Sequence, residues 1–193
     1  GYPVDMERIR EIADKHNLVV IEDAAHALGA VREGTKVGIQ ADMTMFSFHP
    51  VKHITTGEGG MIVCNNLDYY RRLKLFRSHG ITKEVEYLEA NDGLWYYEMQ
   101  ELGYNFRITD IQCALGISQM NKLDKFLKER QLLAVKYDQA FNDINYLHTL
   151  PVPLPGSSHA YHLYPLLLAA DVNRTVFFTY LRDHDIGVQV HYI

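Results

Sequence analysis

Apolar residues at Met6, Ile9, Ile12 and Ala13 recur at helical spacing between Asp5 and His16, and Asp5 is placed to cap the helix they predict. The next run, LVVI from Leu18 to Ile21, is continuously apolar, the mark of a strand buried on both faces in a parallel sheet. Beyond a loop rich in glycine, MTMFSF (Met43 to Phe48) and MIVCN (Met61 to Asn65) predict two further strands. Leu67 to Arg77 then predicts a helix, with Gly80 just past its end.

Residues 81–101 mix charge and aromatics without a period, which predicts a long structured loop. At Thr109 the pattern resumes: Gln112 completes a capping box, and Ile111, Ala114, Leu115, Ile117, Met120, Leu123 and Leu127 line one helix face. Leu132, Val135 and Phe141 extend that helix to a length suited to bridging two domains. After the proline-rich LPVPLPGSS (Leu150 to Ser158), the runs YHLYPLLL, RTVFFTYLRDH and GVQVHYI predict strand, helix and strand. The expected organisation is α/β, with residues 1–144 as the C-terminal part of a large domain that includes the bridging helix, and 145–193 as the beginning of a smaller, truncated α+β domain. The chain opens without an initiator methionine and closes inside a strand-like run, so a fragment of a longer protein is expected.

Composition narrows the classes. With 193 residues, 47% apolar and 22% charged, the chain can bury a real core. Its net charge of −5, without any basic run, argues against a nucleic-acid partner. Cys64 and Cys113 form no metal-like or redox pairing, which suits a reducing compartment, and no apolar stretch is long enough to cross a bilayer. A cytoplasmic protein is expected.

In open α/β sheets, ligands gather beyond the carboxyl ends of the parallel strands. Two such ends carry chemistry here: EDAAH, with Glu22, Asp23 and His26 after LVVI, and SFHPVK, with Ser47, His49 and Lys52 around the end of MTMFSF. A carboxylate and a primary amine at one rim are what a pyridoxal phosphate enzyme requires, the amine to hold the aldehyde as a Schiff base and the carboxylate to keep the ring nitrogen protonated. On composition alone, an acid and a lysine after two strands are more often solvated rim charges than a cofactor site. The glycines of TTGEGG follow the lysine, the reverse of a P-loop. The pairs His49/His53 and His159/His162 have spacings that a metal could use on a helix, but Pro50 breaks the first and the second falls in a predicted strand, so no metal is expected.

Three stretches, VVIEDAAHALGA, ADMTMFSFHPVKHITTGEGGMIVCNN and LGYNFRITDIQCALGISQMNKLDKF, resemble in that order the DegT/StrS family of pyridoxal-phosphate-dependent sugar aminotransferases. The resemblance covers nearly the whole chain and implies the fold type I, aspartate aminotransferase-like architecture. It implies Lys52 as the Schiff-base lysine and proton shuttle, and Asp23 as the carboxylate facing the pyridine nitrogen. His26 stands where many members have glutamine near the ring's phenolic oxygen, and Ser47 matches a serine that binds the cofactor phosphate. Asn105 matches an asparagine that reaches the phosphate of the other subunit's cofactor, implying a homodimer with shared active sites. Arg107 is a second candidate there, for substrate, with an interface salt bridge as its alternative. His191, Tyr192 and Ile193 match the segment lining the nucleotide-sugar pocket.

SFHPVKHITTGEGG and WYYEMQELGYNFRITDIQCALGISQ look most like the members serving pseudaminic acid synthesis. Those install an amine at C4 of a UDP-linked 4-keto-6-deoxy-N-acetylhexosamine, with glutamate as donor. A branch that removes a hydroxyl has histidine in place of the lysine, and Lys52 argues against it. Other nucleotide sugars, or a regulatory or structural role on the same fold, are the alternatives. Family members carry the phosphate-cradling turn and the aromatic that covers the ring upstream of the region matched here, so this piece alone is expected to be inactive.

Overall fold

The computed structural model describes residues 1–150 and 153–191. The chain begins with helix α1 (Met6–Lys15), capped by the Asp5 carboxylate, which accepts from the Arg8 amide at 3.2 Å. Strand β1 (Ile21–Asp23) follows, then a small hairpin of β2 (Val31–Arg32) and β3 (Thr35–Lys36), then β4 (Met43–Ser47) and β5 (Gly60–Cys64). The central sheet has the order β1-β4-β5, with β1 and β4 parallel and β5 antiparallel to β4. Asp42 ties the start of this sheet to α1: its carboxylate accepts from the Val20 amide at 2.7 Å and from Arg10 at 3.1 Å.

The buried strand expected at Leu18 to Ile21 is corrected in place and in burial. The ladder begins only at Ile21, and Leu18, Val19 and Ile21 are exposed. Among the described residues β1 is an edge strand, so its apolar side chains have a neighbour on one side only.

Helix α2 (Leu67–Arg77) forms as expected, with Asn66 as its cap. The long loop is more ordered than its composition suggests: β6 (Ile81–Thr82) pairs with β7 (Glu98–Met99) across it. The capping box at Thr109 and Gln112 is present and opens α3 (Asp110–Met120). The single long helix is not. It breaks at Asn121 and Lys122, where the Lys122 amide turns to the Gln119 carbonyl at 2.9 Å, and α4 (Leu123–Phe141) sets off separately. Beyond the break, Leu123 and Leu127 of α4 lie in the core.

That core joins Ala24, Ala27, Ala30, Phe46, Phe48, Ile54, Leu123, Leu127 and Ala160. Burying each of its large side chains contributes roughly 1.5–3 kcal/mol. The alanines show how the sequence arranges it. From Ala24 to Ala30 the backbone runs in successive turns, Ala27 N donating to Ala24 and Ala30 N to Ala27, both at 2.9 Å. A period of three results, burying all three alanines against α4 and leaving Asp23 and His26 on the other side.

After α4, β8 (Leu147–His148) pairs with β9 (Leu167–Leu168), and α5 (Arg174–Asp183) matches its predicted helix. The strand predicted over YHLYPLLL shrinks to β9. Tyr161 takes a left-handed φ of 46° and Pro165 has no N–H to give, so the run cannot pair along its length. The predicted final strand is absent over residues 187–191, while Tyr192 and Ile193 lie outside the described residues, as do 151 and 152 of the proline-rich connection.

Candidate active site

Parallel pairing sets the site's position. Asp23 ends β1 and Ser47 ends β4, and because Asp23 stands opposite Met45, both leave the sheet at the same edge. Asp23 is exposed, one carboxylate oxygen accepting from the Ala25 amide at 3.0 Å. Ser47 is half-buried, and its hydroxyl oxygen accepts from the His49 amide at 3.4 Å.

The loop from β4 to β5 presents Lys52. Its neck is closed by Phe48 N donating to Gly59 at 2.8 Å and Thr56 N donating to Phe48 at 3.0 Å. Inside it, the Lys52 amide donates to His49 at 3.0 Å. The next two residues, His53 and Ile54, are 3% and 1% exposed and anchor the loop in the core. Lys52 itself stays half-buried, so a well-packed loop presents its amine at the rim. Gln112 of α3 steadies the far side of this loop by donating to the Glu58 carbonyl at 2.8 Å.

His26 is the point of convergence. Burial lowers its pKa first, the Lys52 ammonium lowers it further, Asp23 raises it and His191 lowers it, so all three side chains act on this one ring. Its own ring packs against His162 at 4.2 Å between centroids, and His162 lies 5.6 Å from His53. Burial, then His26 and Lys52, push His162 down to about 3; burial, then Arg130, push His53 down to about 4. The three imidazoles are therefore neutral at pH 7. His53 donates through Nε2–H to the Ala160 carbonyl at 3.0 Å, which fixes its tautomer and leaves Nδ1 as a buried acceptor without a partner; His162 Nδ1 is buried and unpartnered as well.

Asn105 and Arg107 are not part of this cluster. They sit on the extended segment that runs beside the end of α2, where Asn105 bridges Ser78 and the Phe106 amide donates to Arg77 at 3.0 Å. Both are exposed, and among the described residues neither side chain makes a hydrogen bond or ion pair. His191 is exposed and reaches the cluster electrostatically; Tyr192 and Ile193 fall outside the described residues. A cleft of about 570 Å³ lies elsewhere, lined by Arg71, Arg72, Lys74, Arg77 and Lys83, and it contains none of these residues.

Sequence reasoning missed the roles of His53 and His162, taking them only as partners of His49 and His159. The histidines associate across those pairs instead, His53 with His162, while His159 stacks on Tyr161 at 4.1 Å. The signal available was HAYH itself, two imidazoles in a run otherwise apolar and aromatic.

An amine and a carboxylate at one edge of an α/β sheet are compatible with a pyridoxal-phosphate-dependent transferase, and the family match identifies that class. The sequence profile of the DegT/DnrJ/EryC1/StrS aminotransferase family matches residues 1–193, and the chain belongs to that family. It is 44% identical, over its whole length, to a UDP-4-amino-4,6-dideoxy-N-acetyl-beta-L-altrosamine transaminase of Campylobacter jejuni, of which it covers 49%. Among solved structures it is similar to Helicobacter pylori PseC, an aminotransferase of pseudaminic acid biosynthesis, at 36% identity and a TM-score of 0.83, covering 99% of this chain and 50% of that one. A candidate sugar aminotransferase of Streptococcus pneumoniae, Spr1654, solved in its PLP form, is 27% identical with a TM-score of 0.85, covering 98% of this chain and 52% of that one. The chain thus spans about half the length of the curated relatives it matches.

The residues present fit pyridoxal phosphate by their chemistry. The Lys52 amine suits the aldehyde, the Asp23 carboxylate a protonated ring nitrogen, a His26 N–H the ring's phenolic oxygen and the Ser47 hydroxyl the phosphate. No helix among the described residues is long and apolar enough to cross a membrane.

Proposed function

We propose that the full-length protein transfers an amine from glutamate to a UDP-linked 4-keto-6-deoxy-N-acetylhexosamine, giving the 4-amino sugar for a surface polysaccharide or flagellin glycan. The observation that supports this is the parallel pairing of β1 and β4, which brings Asp23 and the loop that carries Lys52 out at one edge of the sheet. The substrate class rests on the 44% identity to the Campylobacter jejuni transaminase.

Bound there, pyridoxal phosphate supplies an electrophilic aldehyde and a ring able to take up an electron pair. Lys52 would hold it through its amine, and the same Nζ would move a proton at the substrate carbon. Asp23 keeps the ring nitrogen charged by accepting its proton in a hydrogen bond. His26, neutral beside Lys52, donates to the ring oxygen without adding a charge, and Ser47 orients the phosphate. Asn105, with its side chain free on an exposed segment, serves the cofactor phosphate of a second copy, making the enzyme a homodimer with shared sites; Arg107 and His191, and by the family resemblance Tyr192 and Ile193, are assigned to binding the nucleotide sugar. In this reading residues 1–144 belong to the large cofactor domain, 145–193 begin a smaller one, and the enzyme works in the cytoplasm.

The test is direct. Purified full-length protein, supplied with pyridoxal phosphate, glutamate and a panel of UDP-4-keto sugars, is expected to release 2-oxoglutarate with at least one sugar, and Lys52→Ala is expected to release none. Absence of release across the panel overturns the proposal. An intact Lys52 and Asp23 speak against a purely regulatory role, because nothing in a scaffold freed of catalysis requires both.

A further inference from the structure

His26 has no polar anchor of its own. Among the described residues neither of its ring nitrogens makes a hydrogen bond, and the contact that restrains its ring is His162, at 4.2 Å between centroids and tilted by 41°. His162 comes from the far side of the proline-rich connection, on a segment held unusually firmly. Arg130 of α4 donates to the Tyr161 carbonyl at 2.9 Å and to the His162 carbonyl at 3.4 Å, and Gln131 donates to His159 at 3.3 Å. Ala160 is buried in the core, its carbonyl taken by His53 at 3.0 Å. Tyr161 sits in the left-handed region, a conformation that persists only where the surroundings impose it.

We propose that His162 is a positioning residue, its ring fixing the imidazole of His26 where that imidazole can donate to the oxygen of the cofactor ring. The inference rests on the aminotransferase reading above. A side chain without hydrogen bonds explores its rotamers freely unless packing forbids it, and a donor must stand within hydrogen-bond distance of its acceptor to act. The stack supplies that restraint and a second property. Around it stand Lys52, Arg130, Asp23, His53 and His191, and burial together with the two cations, Lys52 and Arg130, disfavours a further proton on either imidazole. The pair thus holds His26 both oriented and uncharged.

The experiment is a double-mutant cycle read by cofactor affinity and by the absorption spectrum of bound pyridoxal phosphate, in full-length protein. His162→Ala is expected to weaken pyridoxal phosphate binding several-fold and to shift the pH midpoint of the cofactor's absorption. In a His26→Gln background, where no ring remains to be held, the same substitution is expected to change neither. His162→Leu, which keeps apolar volume, is run in both backgrounds to guard against a failure to fold. Equal effects with and without the His26 ring overturn the inference alone. Failure of the wild-type protein to take up pyridoxal phosphate overturns the functional reading, and this one with it.

Discussion

His53 Nε2 donates to the Ala160 carbonyl at 3.0 Å, joining the loop that presents Lys52 to the segment that carries His162. That bond on its own favours a proton on the ring, but burial and then the nearby Arg130 outweigh it and hold the His53 pKa down to about 4. In the unfolded chain the imidazole titrates near 6.5. Folding therefore excludes a proton between those values: the contribution is whole above pH 6.5 and is lost as the pH falls toward 4. His159 and His162, held at about 4 and about 3, act in the same direction. Denaturation midpoints measured from pH 7 to 4 are expected to fall. His53→Gln, which keeps an N–H for Ala160 but cannot titrate, is expected to flatten the slope; an unchanged slope means that His53 is not among the groups responsible.

The capping box offers a stability test that leaves the core alone. Thr109 Oγ1 accepts from the Gln112 amide at 3.3 Å, and Gln112 Oε1 accepts from the Thr109 amide at 3.0 Å. Thr109→Ala removes one half of the exchange and is expected to cost about 1 kcal/mol, seen as a lower urea midpoint with an unchanged m value. Gln112→Ala also releases the Glu58 carbonyl beyond Lys52 and is expected to cost more. Equal losses would show that the Gln112–Glu58 bond contributes nothing to the fold.

Signals confined to a few neighbouring residues were legible in the sequence. Asp5 and Thr109 each cap the helix that follows them, and the strand over MTMFSF forms with alternating burial. The rim position of Asp23 and Lys52 was legible too, although Asp23 ends β1 instead of following it: parallel pairing brings the end of β1 and the loop after β4 to one edge. What stayed hidden depends on contacts between distant segments. The break at Asn121 accompanies Leu123 and Leu127 reaching the Ala24 to Ala30 turns, and the failure of the Tyr161 to Leu166 strand accompanies a local backbone that tertiary bonds from Arg130 hold in place. The His26–His162 pairing belongs to the same class, because no spacing along the chain announces it.

Gly80 and Gly103 cross at such close range that a Cβ on Gly103 would fall on the Gly80 amide nitrogen, and one on Gly80, where φ is +68°, on the Glu101 carbonyl. This crossing fastens both ends of the long loop and sets the register in which Asn105 bridges Ser78. Gly103→Ala is expected to destabilise the crossing by roughly 1–3 kcal/mol through overpacking against backbone. Hydrogen exchange is the sharper readout: the amides of His79, Gln100 and Phe106, which bond across the crossing, should lose protection while those of α4 keep it. Undiminished protection at His79 and Gln100 would rule out a tight crossing.

Asn105 allows the shared site to be tested without a structure of the dimer. Its side chain is exposed and unbonded among the described residues, on a segment fixed to α2 and apart from the Lys52 cluster. If it serves the second subunit's cofactor, Lys52→Ala and Asn105→Ala place their lesions in different sites of a mixed dimer. One site then carries both lesions and the other carries neither. With equal amounts and free subunit exchange, half of the dimers are mixed, so on the order of one quarter of wild-type activity is expected from two preparations that are each nearly inactive. If Asn105 serves the cofactor of its own subunit, every site in the mixture keeps one lesion and exchange restores nothing. The measurement is 2-oxoglutarate release before and after exchange, with Asn105→Ala alone confirmed to lie well below that level. Recovery would mean that the enzyme's smallest active unit is the dimer, and that the extended segment beside α2 belongs functionally to the neighbouring subunit's site.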